Sequence, residues 1–107
     1  MNSFEGKVAV ITGAGSGIGR ALALNLAERG AHLALSDIDP DGLDETVRQA
    51  KAFGANVKSD RLDVVEREAV LAYADAVAAH FGQVDQVYNN AGIAYNARLM
   101  ALKVCYS

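Results

Sequence analysis

The chain holds one cysteine, one proline and no tryptophan, and aromatic residues make up only 7% of it. A lone cysteine, Cys105, cannot close an internal disulfide, so the fold must rest on its core. The same scarcity fits a reducing setting and leads us to expect a cytoplasmic protein. Long apolar runs are also missing; none approaches the about 20 residues of a membrane span. The opening residues Met1-Asn2-Ser3-Phe4-Glu5-Gly6-Lys7 lack the basic-then-apolar order of a secretory signal. Blocks of one charge are absent too: the net charge is -3 and the Lys and Arg residues are scattered, which argues against a nucleic-acid surface. His32, His80 and Cys105 are not at metal-ligand spacing, so no metal site is expected. Cys105 has neither a helix start nor a histidine beside it to activate its thiol.

What is present is ample apolar material, 51% of 107 residues, against 21% charged. That is enough to offset chain entropy and build a core, within one domain at most. Strand-like runs alternate with helical ones. Strands are expected at 7–12, 31–36, 56–62 and 84–88, with helices at about 17–29, 66–80 and from residue 39 onward. Gly30, Gly54 and Gly82 supply helix stops. Asp39 is placed to cap the second helix, with Pro40 in its first turn. Leu43, Val47 and Ala50 recur at helical spacing, as do Val70, Ala74, Val77 and Phe81. The third strand is the most polar and belongs near a sheet edge. Asp85 and Gln86 read as local packing compromises. Alternation of this kind specifies an α/β fold: a Rossmann-like, doubly wound parallel sheet. Right-handed crossovers order its strands 3-2-1-4. The switch point then lies between the first and fourth strands, where ligands of such sheets bind.

Two segments converge there. The first is Thr12-Gly13-Ala14-Gly15-Ser16-Gly17-Ile18-Gly19, directly after the apolar run Val8 to Ile11. A strand, a glycine turn and a helix start in succession make a phosphate site from backbone alone. The glycines allow close approach, and the free amides at the helix start favour an anion. A bare tight turn is the plainer reading of such a segment. The second is Asn89-Asn90-Ala91-Gly92 after the fourth strand. Its asparagines can tie neighbouring strand ends together, while Ala91 and Gly92 keep bulk away from a ligand.

Asp37 ends the second strand. An acid there can accept hydrogen bonds from both hydroxyls of an adenosine ribose and would repel a 2′-phosphate. Ser16 and Ile38 bring no cation to that place, so NAD is favoured over NADP. The alternative for Asp37 is that it caps the Asp39-Pro40 turn. Asp63-Val64 follows the third strand. The alternative for Asp63 is an N-cap, with Glu66 at capping-box spacing.

The spacing of Gly13, Gly17 and Gly19 departs from the common dinucleotide fingerprint. With Asp37, Asp63-Val64 and Asn89 to Gly92 in order, residues 4 to about 95 resemble the classical short-chain dehydrogenase/reductases. That resemblance implies hydride transfer on an alcohol or carbonyl, with NAD as the small-molecule cofactor. It implies contacts to the cofactor from Gly13, Gly15, Ser16, Gly17, Ile18, Gly19, Asp37, Asp63, Val64, Asn89, Asn90, Ala91 and Gly92. Asp63 would meet the adenine amino group, and the backbone of Val64 would hold the ring.

The family's chemistry uses a serine, a tyrosine and a lysine, the last two spaced Y-x-x-x-K. Here Tyr73, Tyr88 and Tyr95 are followed at that distance by Val77, Gly92 and Leu99, and Tyr106 by nothing, so no catalytic residue is assigned. We therefore divide the chain into an NAD-binding portion, 1–95, and a segment 96–107 in which Ala97 to Val104 favours a short helix. The leading expectation is the cofactor half of a longer dehydrogenase, inactive alone. The alternatives are a small, catalytically inactive NAD-binding protein, or an interaction module that self-associates through the edge of its fourth strand.

Overall fold

The computed structural model describes residues 4–90. Ala91, Gly92, Tyr95, Tyr106 and the segment 96–107 lie outside the described residues. Four strands and three helices alternate along the chain: β1 (Val8–Thr12), α1 (Gly17–Glu28), β2 (His32–Asp37), α2 (Pro40–Lys51), β3 (Val57–Arg61), α3 (Arg67–Phe81) and β4 (Gln86–Asn89). The sheet runs β3-β2-β1-β4, the order expected from the sequence, and every pairing is parallel.

The burial of each strand follows its place in the sheet. β1 is central, so both of its faces are covered and all five residues are buried. Ala9 and Ile11 face one layer with Leu33 and Leu35 of β2, packed under α1 and α2. Val10 and Ala34 face the other, under Val70, Ala74 and Val77 of α3. β3 is an edge strand and the most polar of the four, as its sequence requires. Lys58 and Asp60 pair along it at 2.6 Å, placing charge on an edge that would otherwise invite another strand.

The helix ends follow their local chemistry. Asp39 accepts a hydrogen bond from the Asp41 amide at 3.2 Å and so caps α2, with Pro40 in the first turn. Gly82 closes α3 in the left-handed region at φ +74°, and its amide reaches the Ala78 carbonyl at 2.9 Å.

Most element ends lie a residue or two from the sequence reading, and two of the differences have a local cause. Glu66, not Asp63, stands at the N-cap of α3. The Asp63 side chain instead accepts from the Val65 amide at 3.1 Å, in a tight turn that comes before the helix. β4 begins at Gln86 rather than Val84 because the Asp85 side chain takes over its pairing. Its Oδ2 accepts from the Val8 amide at 2.8 Å, while the Asp85 amide donates to the Val8 carbonyl at 3.0 Å. Among the described residues no helix is long and apolar enough to cross a membrane.

Candidate functional site

The turn after β1 is built by glycines that meet different demands. At Gly17 the backbone sits at φ +56°, where side chains are rarely accommodated, yet an added Cβ would touch nothing within 4 Å. Gly15 and Gly19 are required by crowding instead. A Cβ on Gly15 would come within 2.8 Å of Asp37 Oδ2, and one on Gly19 within 2.0 Å of the Gly13 carbonyl oxygen. Gly19 thus lets the first turn of α1 rest directly on the Gly13 carbonyl.

Ser16 stands at the N-cap of α1 and makes no side-chain cap. The first intrahelical bond runs from the Arg20 amide to the Ser16 carbonyl, 3.2 Å. The amides of Gly17, Ile18 and Gly19 precede it and keep their donors for an anion at the positive end of the helix. Ile18 is 76% exposed beside them. This open, donor-rich backbone suits a pyrophosphate.

The end of β4 is tied to this turn by its two asparagines. Asn89 pairs in register with Thr12, whose hydroxyl donates to Asn89 Oδ1 at 2.9 Å. Asn90 Nδ2 donates to the Gly13 carbonyl at 3.0 Å. Two chain segments 77 residues apart are thereby joined at the C-terminal edge of the sheet, at the switch point.

Asp37 performs the turn-capping role that the sequence left open and a second one that the sequence did not suggest. Its Oδ1 accepts from the Asp39 amide at 2.9 Å, the turn-capping role, and its Oδ2 accepts from the Gly15 amide at 2.7 Å. A carboxylate offers about four acceptor positions, so each oxygen retains one for a ribose hydroxyl. Asp37, Ile38, Leu62, Asp63, Val64 and Val65 line one pocket of about 230 Å³. The acid at the end of β2 and the pair after β3, remote in sequence, therefore share one concavity. Its lining combines four apolar residues with two acids, a combination that fits a flat heteroaromatic base with an attached sugar.

Sequence reasoning missed a cluster behind the turn. Arg20 Nε donates to the Thr46 hydroxyl at 2.9 Å, and its Nη2 donates to the carbonyls of Gly15 at 2.6 Å and Gly42 at 3.1 Å. Thr46, fully buried, donates in turn to the Ala14 carbonyl at 2.7 Å. One signal was available: Thr46 is a polar residue three positions after Leu43, on the buried side of an amphipathic helix, and so needs a partner.

Neither tyrosine hydroxyl within the described residues hydrogen-bonds to the glycine turn, Asp37 or the two asparagines. Tyr73 is buried under the sheet, and the Tyr88 hydroxyl donates to Gln86 Oε1 at 2.7 Å. Among the described residues no cluster of three metal-ligating side chains is found.

The sequence model for short chain dehydrogenase matches residues 7–104. The chain belongs to the short-chain dehydrogenase family. Its relatives include SadH of Mycobacterium tuberculosis, a protein that carries an oxidoreductase name. The two are 79% identical over 99 residues, which cover 92% of this chain and 36% of SadH. Among solved structures, an NAD+-bound xylitol dehydrogenase is 41% identical and superposes with a TM-score of 0.82 over 85% of this chain and 35% of its own. A short-chain dehydrogenase/reductase from Burkholderia phymatum, in complex with NAD, is 48% identical with a TM-score of 0.75, over 81% of this chain and 31% of its own. This chain thus spans about a third of the length of the proteins it matches. Short-chain oxidoreductases with bound NAD share its fold.

Proposed function

We propose that this chain binds NAD(H), as the cofactor portion of a short-chain oxidoreductase acting on an alcohol or carbonyl. The observation that carries the reading is Asp37. Its carboxylate belongs to the lining of the pocket it shares with Asp63 and Val64, while the Gly15 amide it grips belongs to the turn that opens α1. In this reading the amides of Gly17, Ile18 and Gly19, with Gly13, Gly15 and Ser16 around them, hold the pyrophosphate. Asp37 takes the ribose hydroxyls, and Asp63 and Val64 the adenine. Asn89 and Asn90 set the strand end beside the cofactor's middle, and we extend the cofactor contacts in sequence to Ala91 and Gly92. When bound, the cofactor supplies a hydride acceptor or donor.

Within these 107 residues no tyrosine is followed by a lysine four positions on. The reading therefore gives this chain cofactor binding and no turnover of its own. NAD is preferred over NADP because a 2′-phosphate would meet the Asp37 carboxylate. Like charges brought together at an interface cost several kcal/mol. The test is a titration with NADH and NADPH, followed by nicotinamide fluorescence. NADH should bind on the order of 100-fold more tightly. Equal affinity would remove the preference, and absence of any NADH binding would remove the reading.

A second proposal concerns the outer side of β4. Among the described residues no strand lies beyond it, and its four residues are only half-buried. We propose that a strand of a second copy of this chain pairs there. Sedimentation across a concentration series should show self-association; a strict monomer would refute it.

A further inference from the structure

Arg20 follows the last glycine of the turn, where a cation would ordinarily be assigned to a phosphate. Its geometry gives it a different task. Nε and Nη2 are engaged with Thr46 and the Gly42 carbonyl of α2 and with the Gly15 carbonyl of the turn. We propose that Arg20 and Thr46 are positioning residues. They clamp the glycine turn to the start of α2, so that the pyrophosphate-facing backbone and the ribose-facing Asp37 keep one fixed spacing. What is positioned rests on the dinucleotide reading above.

Three further observations support the clamp. The turn and α2 meet backbone to backbone: a Cβ on Gly42 would come within 2.6 Å of the Gly15 carbonyl oxygen, and one on Gly15 within 3.1 Å of the Leu43 amide nitrogen. A guanidinium reaches the two carbonyls and the hydroxyl from two nitrogens held in one rigid plane, whereas an ammonium would have to serve all three from a single point. The turn is also held from both directions at one residue. Asp37 accepts from the Gly15 amide while Arg20 donates to the Gly15 carbonyl. Finally, Thr46 is fully buried and bridges Arg20 to the Ala14 carbonyl, which extends the clamp to the residue before Gly15.

The test uses the whole chain and the variants Arg20→Lys, Thr46→Val and Thr46→Ser. Two readouts are taken: NADH affinity at several salt concentrations, and hydrogen exchange of the Gly15 amide without cofactor. Arg20→Lys retains the charge, and Thr46→Val has none to lose. Positioning predicts that both weaken NADH binding about tenfold, as expected for lost hydrogen bonds to a charged group. Thr46→Ser should bind like the parent. The salt dependence of Thr46→Val should match that of the parent. Gly15 amide protection should fall in Arg20→Lys and Thr46→Val before any ligand is added.

Parent-like NADH affinity in either variant, or unchanged Gly15 protection in both, would overturn the proposal. Should Arg20→Lys fail to fold, the contrast between Thr46→Val and Thr46→Ser makes the same decision. Should the parent not bind NADH, the dinucleotide reading falls, and Gly15 exchange still reports whether the clamp exists.

Discussion

Asp37 Oδ2 accepts a 2.7 Å hydrogen bond from the amide of Gly15, 22 residues earlier in the chain. That bond explains why the middle of the turn is glycine, since any β-carbon there would press on the carboxylate at 2.8 Å. It also couples the two halves of the candidate site, because the residue that would read the ribose is anchored to the loop that would hold the phosphates.

Gly15→Ala therefore tests both stability and binding. The added methyl must displace Asp37, and overpacking of this kind costs about 1–3 kcal/mol. We expect the unfolding free energy to fall by that amount and the urea midpoint to fall with it. NADH binding should weaken further, because the displaced carboxylate no longer faces the ribose. Urea unfolding and fluorescence titration of the same samples separate the two effects.

Asp37→Asn keeps the shape of the side chain and removes its charge. Hydrogen bonds to a charged acceptor contribute about 1.5–3 kcal/mol, so NADH should bind at least about tenfold more weakly. Without the repelling charge NADPH should gain, and the NADH-to-NADPH affinity ratio should move toward unity. Competitive titration of the two nucleotides reads that ratio directly. An unchanged ratio would take the discrimination away from Asp37.

Gly17→Ala and Gly19→Ala should differ in kind. At Gly17 the penalty is conformational, about 1–2 kcal/mol for a β-carbon in the left-handed region, with no clash. At Gly19 the β-carbon would fall 2.0 Å from a backbone oxygen, which no side-chain adjustment relieves. Gly17→Ala should fold with a modest loss of stability, whereas Gly19→Ala should lose the native transition altogether. Thermal melts by circular dichroism distinguish them.

Tyr73 predicts an alkaline limit to stability. Burial pushes its phenol above the ordinary value of 10.0; the nearby Ser36 hydroxyl pulls it partly back, and Asp60 pushes it further up. The folded chain thus holds this proton more tightly than the unfolded chain does. The contribution is fully present below about pH 10 and declines as pH rises toward the folded value, because the unfolded state releases its proton first. Denaturation midpoints at about pH 9 and about pH 11 should show a smaller fall for Tyr73→Phe than for the parent. At neutral pH the substitution should change little, because the Tyr73 and Ser36 hydroxyls lie close without a well-aligned hydrogen bond.

Several features of the fold were legible locally. The all-apolar β1, the polar β3, the Asp39-Pro40 helix start and the glycine after α3 each carry their cause within a few residues, so periodicity and capping chemistry were enough to place them. The strand order followed, because right-handed crossovers leave few arrangements. Asp63 shows where this ends. Its spacing to Glu66 suits a capping box, yet the side chain closes the Val65 turn instead. Two local hydrogen-bonding options of similar strength compete there, and nothing in the sequence ranks them.

By itself, then, the sequence determined the alternation of strands and helices, the parallel sheet and the glycine turn at its switch point. Hydrophobic periodicity and backbone conformational limits are properties of short segments. Only the tertiary structure decided which glycines answer to crowding and which to conformation, and that Tyr73 belongs to the core. It alone gathered Asp37, Asp63 and Val64 around one pocket and turned Arg20 inward to Thr46, 26 residues away. A hydrogen bond between distant segments is set by how helices and strands pack, and that distance is written in no local pattern.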